Sequence, residues 1–125
     1  MLNKTQLIGR LGKDPETLAT PGGNTLTRFS LATDTRWTDK DGRKQSRTEW
    51  HSVTAWGSLA EICAAHLRKG RLVYVEGRLQ TRQWEDAEGN RRHSTGIVIH
   101  DLKMLEPRQP VEAPVPEPSG EEIPF

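Results

Sequence analysis

From Asn3 to Met104 the sequence alternates between runs with strand chemistry and short clusters of turn residues, and this restricts the chain to an all-β fold. The first run, Asn3 to Leu11, is stopped by Gly12-Lys13-Asp14-Pro15. Pro21-Gly22-Gly23-Asn24 introduces the second, Thr25 to Thr35, rich in Thr, Leu and Phe. After the polar hairpin loop Thr38-Asp39-Lys40-Asp41-Gly42, Ser46 to Trp56 returns as the third. Arg71 to Trp84 is the fourth, with Val73, Val75 and Leu79 alternating onto one face. The loop Glu85-Asp86-Ala87-Glu88-Gly89-Asn90 leads to the fifth, His93 to Met104, which contains Ile97-Val98-Ile99.

One segment has helical spacing instead. Leu59, Ile62, Cys63 and Leu67 form an amphipathic stripe before Gly70, and Ser58 with Glu61 has the form of a capping box. Three strands, one short helix and two strands is the order of an OB-fold, a five-stranded Greek-key barrel. Cys63 lies on the apolar stripe and is expected to be a small buried hydrophobe. As the single cysteine it excludes an internal disulfide, and it leaves too few thiols for a structural zinc site.

Beyond Leu105 the chemistry changes. Six of the eight prolines lie between Pro107 and Pro124, so residues 106–120 are expected to be a disordered linker after a domain over residues 1–105, with residues 121–125 as an acidic tip. Charge divides at the same place. From residue 106 onward five glutamates face one arginine, a charge of −4, which leaves +5 for residues 1–105 out of a chain total of +1. No apolar run approaches the ~20 residues of a membrane span. The first residues lack an export signal, so a cytoplasmic location is expected.

The four tryptophans carry the functional argument. Trp50 and Trp56 share strand parity, so they lie on one face, roughly 20 Å apart. Ser52 and Thr54 intervene on that face while Val53 and Ala55 occupy the other, which predicts outward-facing indoles. In the fourth strand Trp84 sides with Arg78, Gln80 and Arg82, and Trp37 runs into the loop holding Lys40, Arg43 and Lys44. Core packing is the ordinary use of a tryptophan, yet all four accompany polar faces or loops. An indole stacks on any base for ~1–3 kcal/mol, and neighbouring cations track phosphates. Such binding favours single strands, since a duplex hides its base faces.

Several segments together make the chain similar to bacterial single-stranded DNA-binding proteins over about 105 residues: Leu11-Gly12-Lys13-Asp14-Pro15-Glu16, Thr48-Glu49-Trp50-His51, Trp56-Gly57-Ser58-Leu59-Ala60-Glu61, Leu67-Arg68-Lys69-Gly70, Val73-Tyr74-Val75-Glu76-Gly77 and Thr81-Arg82-Gln83-Trp84. The resemblance implies base stacking at Trp37, Trp50, Trp56 and Trp84, and strand contacts at Lys4, Lys40, Lys69 and Arg82. It also implies a homotetramer with His51 and Tyr74 near subunit interfaces, and roles in replication, recombination and repair. The end of the sequence, Glu121-Glu122-Ile123-Pro124-Phe125, resembles the family's tip for docking replication and repair proteins. Trp56 departs from the family's usual Phe, Ser52 and Ser58 stand where many members carry a cation, and the linker is short.

Catalysis is not expected. His51, His66, His93 and His100 lack metal-ligand spacing, no nucleophile elbow or phosphate loop occurs, and Asp14 and Glu16 fall in a turn. No cofactor and no metal are implied. An OB-fold primosomal adaptor acting through protein contacts is the alternative, but it has no need of the tip. RNA-binding cold-shock modules are shorter and use another aromatic motif.

Overall fold

The computed structural model describes residues 1–106; the linker from Pro107 onward and the tip at residues 121–125 lie outside them. Six strands and one helix follow in order: β1 (Thr5–Leu11), β2 (Glu16–Ala19), β3 (Thr25–Thr38), β4 (Lys44–Trp56), α1 (Gly57–His66), β5 (Leu72–Glu85) and β6 (Arg91–Met104). The sheet runs β1-β5-β6-β4-β3-β2, and a second pairing of β1 with β3 closes five of the strands into the expected OB-fold barrel. Closure is made by Arg10↔Ala32 and Leu11↔Leu31. The β4–β6 seam is parallel, with Val53↔Ile97 and Thr54↔Val98.

Odd-numbered side chains fill the barrel. Leu11, Phe29, Leu31, Val53, Ala55, Val73, Val75, Ile97 and Ile99 form one buried cluster, and Ala60, Cys63 and Leu67 join it from α1 and its C-cap. Thr27 is buried as well; its Oγ1 donates to the Ala60 carbonyl at 2.8 Å, which ties the helix to β3 and satisfies a hydroxyl that burial would otherwise penalise. Burial pushes the Cys63 thiol up to about 11, in keeping with an inert packing role.

The structure corrects the sequence reading in four places. Glu16, read as part of a turn, opens β2, a four-residue strand whose side chains are all exposed and which therefore has no apolar alternation to betray it. Ser58 and Glu61 do not form a capping box: Gly57, at φ +63°, swings β4 directly into α1, Trp56 becomes the N-cap, and no side chain bonds the cap. Ile62 faces solvent and Ala60 takes its place in the core, so the buried stripe is Ala60, Cys63 and Leu67. Leu79 is 50% exposed although Val73 and Val75 on the same face are fully buried. There β5 has passed a bulge, where Glu76 pairs with Asp101 but Gly77 with Ile99, and has left the barrel.

Two exposed ribbons result, one from the far ends of β3 and β4, the other from those of β5 and β6. At the domain's end Glu106 does not begin a free segment. Its Oε1 accepts from the Arg10 guanidinium at 2.8 Å and from the Leu72 amide at 3.0 Å, pinning the exit of the chain to the barrel.

Candidate nucleic-acid interface

The odd residues being inside, the even residues of β3, β4, β5 and β6 share the outer face. On β4 this row is Trp50, Ser52, Thr54 and Trp56, set against Ala32, Ser30, Arg28 and Leu26 of β3. A groove of ≈ 120 Å³ crosses from Arg28 over Ser52 and Thr54 to Ser94 of β6 and Arg82 of β5. It adjoins a second groove, which shares Arg28 and Ser52 and is also lined by Lys13 and Ser30. A third shares Lys13 and Ser30 and ends on Gly12 and Trp50. Together they form a polar trough with an indole at one end and an arginine at the other.

Trp37, Trp50, Trp56 and Trp84 are 46%, 62%, 38% and 48% exposed, so each offers ring surface to solvent. Trp50 leans on Gly12, where a Cβ would lie 2.4 Å from its ring; a glycine at this position is what lets the indole lie along the trough. Trp84 extends the even row of β5 two residues past Arg82. Trp37 has odd parity, so it occupies the opposite face of the β3–β4 ribbon from Trp50 and Trp56, and the four indoles do not share one plane.

The basic residues are similarly divided. Among the described residues lining the trough, the cations are Lys13, Arg28 and Arg82. Lys4 sits instead 3.7 Å from Glu76, Lys40 is on the β3–β4 hairpin, and Lys69 is in the turn after α1, where its amide donates to Asp14 at 2.8 Å. Sequence reasoning missed Lys13, Arg28 and Gly12, whose places depend on which strands lie side by side.

It also missed an internal repeat. Trp37-Thr38-Asp39-Lys40-Asp41-Gly42 and Trp84-Glu85-Asp86-Ala87-Glu88-Gly89 share the pattern W-x-D-x-[DE]-G, and they fold identically. Asp39 Oδ1 accepts from the amides of Asp41 and Arg43, and Asp86 Oδ1 from those of Glu88 and Asn90. Each glycine has φ near +80°, at +80° for Gly42 and +82° for Gly89. The other carboxylate oxygen grips the residue paired across from the tryptophan: Gln45 at 3.1 Å opposite Trp37, and Arg92 at 3.0 Å opposite Trp84. The backbone amides of Arg43 and Asn90, with those side chains, hold both carboxyls below the usual range. One turn design thus presents a tryptophan at the end of each ribbon.

His51 and Tyr74 stand apart from the trough and from each other. The His51 ring lies 2.9 Å from Thr33 Oγ1, on the rim of the barrel. Tyr74 is on the outer face of β1 and β5, paired with Ile8, and donates to Glu76 Oε1 at 2.7 Å. Glu76 also lies 2.8 Å from His100. Hydrogen bonds from Tyr74 and His100 bring its carboxyl down to about 2, and the same bond raises Tyr74.

A closed five-stranded barrel with one helix, carrying exposed indoles beside a trough of hydroxyls and cations, is an OB-fold module of the kind that binds oligonucleotides. Residues 2–105 match the single-strand binding protein family, and the chain belongs to it. It is 51% identical over 105 residues to single-stranded DNA-binding protein 1 of Chlorobaculum tepidum, a match covering 83% of this chain and 65% of that protein. Identity to the single-stranded DNA-binding protein of Neisseria meningitidis serogroup A is 47% over 104 residues, covering 83% and 60%. The chain thus spans less than two thirds of the length of either relative. Among solved structures, the Plasmodium falciparum SSB complex with ssDNA is similar with a TM-score of 0.77 and 36% identity, covering 85% of this chain and 96% of that one.

Proposed function

We propose that this chain binds and protects single-stranded DNA without sequence preference, in replication, recombination and repair, and catalyses no reaction. The observation that carries the reading is the trough itself: Trp50 on Gly12 at one end, Arg82 then Trp84 at the other, hydroxyls between them. Stacking takes any base and cations take any phosphate, so the binding is sequence-tolerant. The ssDNA complex of the similar Plasmodium falciparum protein supports the same ligand. Trp37, Lys4, Lys40 and Lys69 lie beyond the trough, and a strand reaches them by continuing around the barrel and over the ribbons. Titration with oligo-dT should quench tryptophan fluorescence, with log affinity falling linearly in log salt at about −0.7 per phosphate contact. Affinity independent of salt would contradict the reading, as would loss of a labelled strand during incubation with Mg²⁺.

Self-association into a tetramer fits the outer face of β1 and β5, where the half-exposed Ile8 lies beside Tyr74 in a setting of Gln6, Glu76 and His100. An apolar side chain in a rim of bonded polar groups is interface composition. Light scattering should report four chains at micromolar concentration, and Tyr74→Arg should lower that number; a wild-type monomer would refute the tetramer.

Residues 121–125 fit a docking role by their chemistry. Phe125 suits an apolar pocket, Glu121 and Glu122 a basic rim around it, and Ile123-Pro124 limit flexibility. Deleting Phe125 should leave oligo-dT affinity unchanged and abolish capture of replication and repair proteins from a bacterial extract. Undiminished capture would rule the tip out.

A further inference from the structure

We propose that Arg28 is a phosphate contact of the bound strand, and that Glu16 on β2 holds its guanidinium over the trough until DNA displaces it. This rests on the single-strand binding reading and adds to it a residue and a role for β2. Trp50 and Trp56 lie roughly 20 Å apart along β4, too far for neighbouring bases, so the strand between them must cross the intervening rungs. Those rungs are Ser52 and Thr54, which carry no charge. Arg28 pairs directly with Thr54 across the β3–β4 ladder, and it is the cation common to the first and second grooves. A phosphodiester passing from Trp50 towards Trp56 leaves the groove lined by Lys13 and crosses these uncharged rungs beside Arg28.

The four-residue β2 sets Glu16 opposite Arg28 in its ladder, and Glu16 Oε1 lies 3.6 Å from Arg28 Nη2. Both side chains are largely exposed, and such pairs contribute little. Glu16 therefore fixes the direction of the guanidinium without competing strongly with a phosphate, which offers a denser charge and better acceptors. Glu16 also lines the second groove, so its carboxylate faces the strand's path in the free protein.

The test is titration of the full chain with oligo-dT from low to high salt, using Arg28→Ala, Arg28→Lys, Glu16→Gln and the double variant Arg28→Ala/Glu16→Gln, with melting curves to establish that each is folded. Loss of one contact should flatten the slope by about 0.7 and weaken binding about fivefold at 0.1 M salt. Arg28→Lys should keep the slope. Glu16→Gln should tighten binding about twofold at low salt, and this gain should vanish when Arg28 is alanine. An unchanged slope in folded Arg28→Ala overturns the phosphate contact, and a Glu16→Gln gain that survives without Arg28 overturns the latch. Trp50→Ala, run in parallel, separates this from the stacking reading: its failure to weaken binding counts against stacking and leaves the Arg28 result standing.

Discussion

Alanine at Trp50 or at Trp84 is expected to weaken oligo-dT binding by ~1–3 kcal/mol each, about five- to 150-fold in affinity. Both rings are exposed and both belong to the outer even row, on different strands at opposite ends of the trough. They share no partner, so the losses in the double variant should add to within about 0.5 kcal/mol. Neither indole neutralises a phosphate, so the salt slope should not move, in contrast to the change expected on loss of a cation. Removing exposed rings should also leave folding stability within about 0.5 kcal/mol of the parent. Anisotropy of a labelled oligo-dT at two salt concentrations measures all of this. Unchanged affinity in both single variants would end the stacking account, and a changed slope would mean that the indoles act by arranging cations.

Gly77→Ala is expected to destabilise the barrel by ~3 kcal/mol or more, a large part of the 5–15 kcal/mol that holds a domain together. The added Cβ would lie 2.1 Å from the Val98 carbonyl oxygen and 2.7 Å from the Ile99 Cα. Both obstacles are backbone, at the bulge where β5 and β6 leave the barrel, so relief requires the two strands to part and the ladder to break. Gly12→Ala makes a collision of similar depth, 2.4 Å, but with the ring of Trp50. That ring can move, and the expected result is near-parental stability with altered tryptophan fluorescence and weaker DNA binding. Urea unfolding of the two variants gives the comparison; equal midpoints would show that the β5–β6 seam yields as readily as an exposed indole.

Much of the barrel was legible because burial and alternation coincide in it. Val73 and Val75 read as a core face, and so did Val53 and Ala55, since a strand half in water must alternate. The same rule misplaced Leu79, whose strand keeps its alternation after leaving the core. It was silent on β2, which buries nothing. Ser58 and Glu61 matched a capping pattern, but the positive φ of Gly57 had already started the helix. Among the site residues, the outward direction of Trp50, Trp56 and Trp84 followed from parity with their neighbours. The repeated W-x-D-x-[DE]-G turn was equally visible in the sequence and escaped notice because its halves are 47 positions apart, Trp37 and Trp84.

By itself the sequence determined the five barrel strands in chain order, the single helix, the polar row between Trp50 and Trp56, and the division into a basic body and an acidic end. These depend on spacing along one chain, which a sequence records directly. Only the tertiary structure decided that Gly12 lies under Trp50, that Arg28 faces Thr54 with Glu16 behind it, and that Trp37 is on the opposite face of its ribbon from Trp50 and Trp56. Each is a matter of cross-strand register and barrel closure, which bring together residues up to tens of positions apart. A shift of one residue in that register would turn every side chain of a strand to the other face.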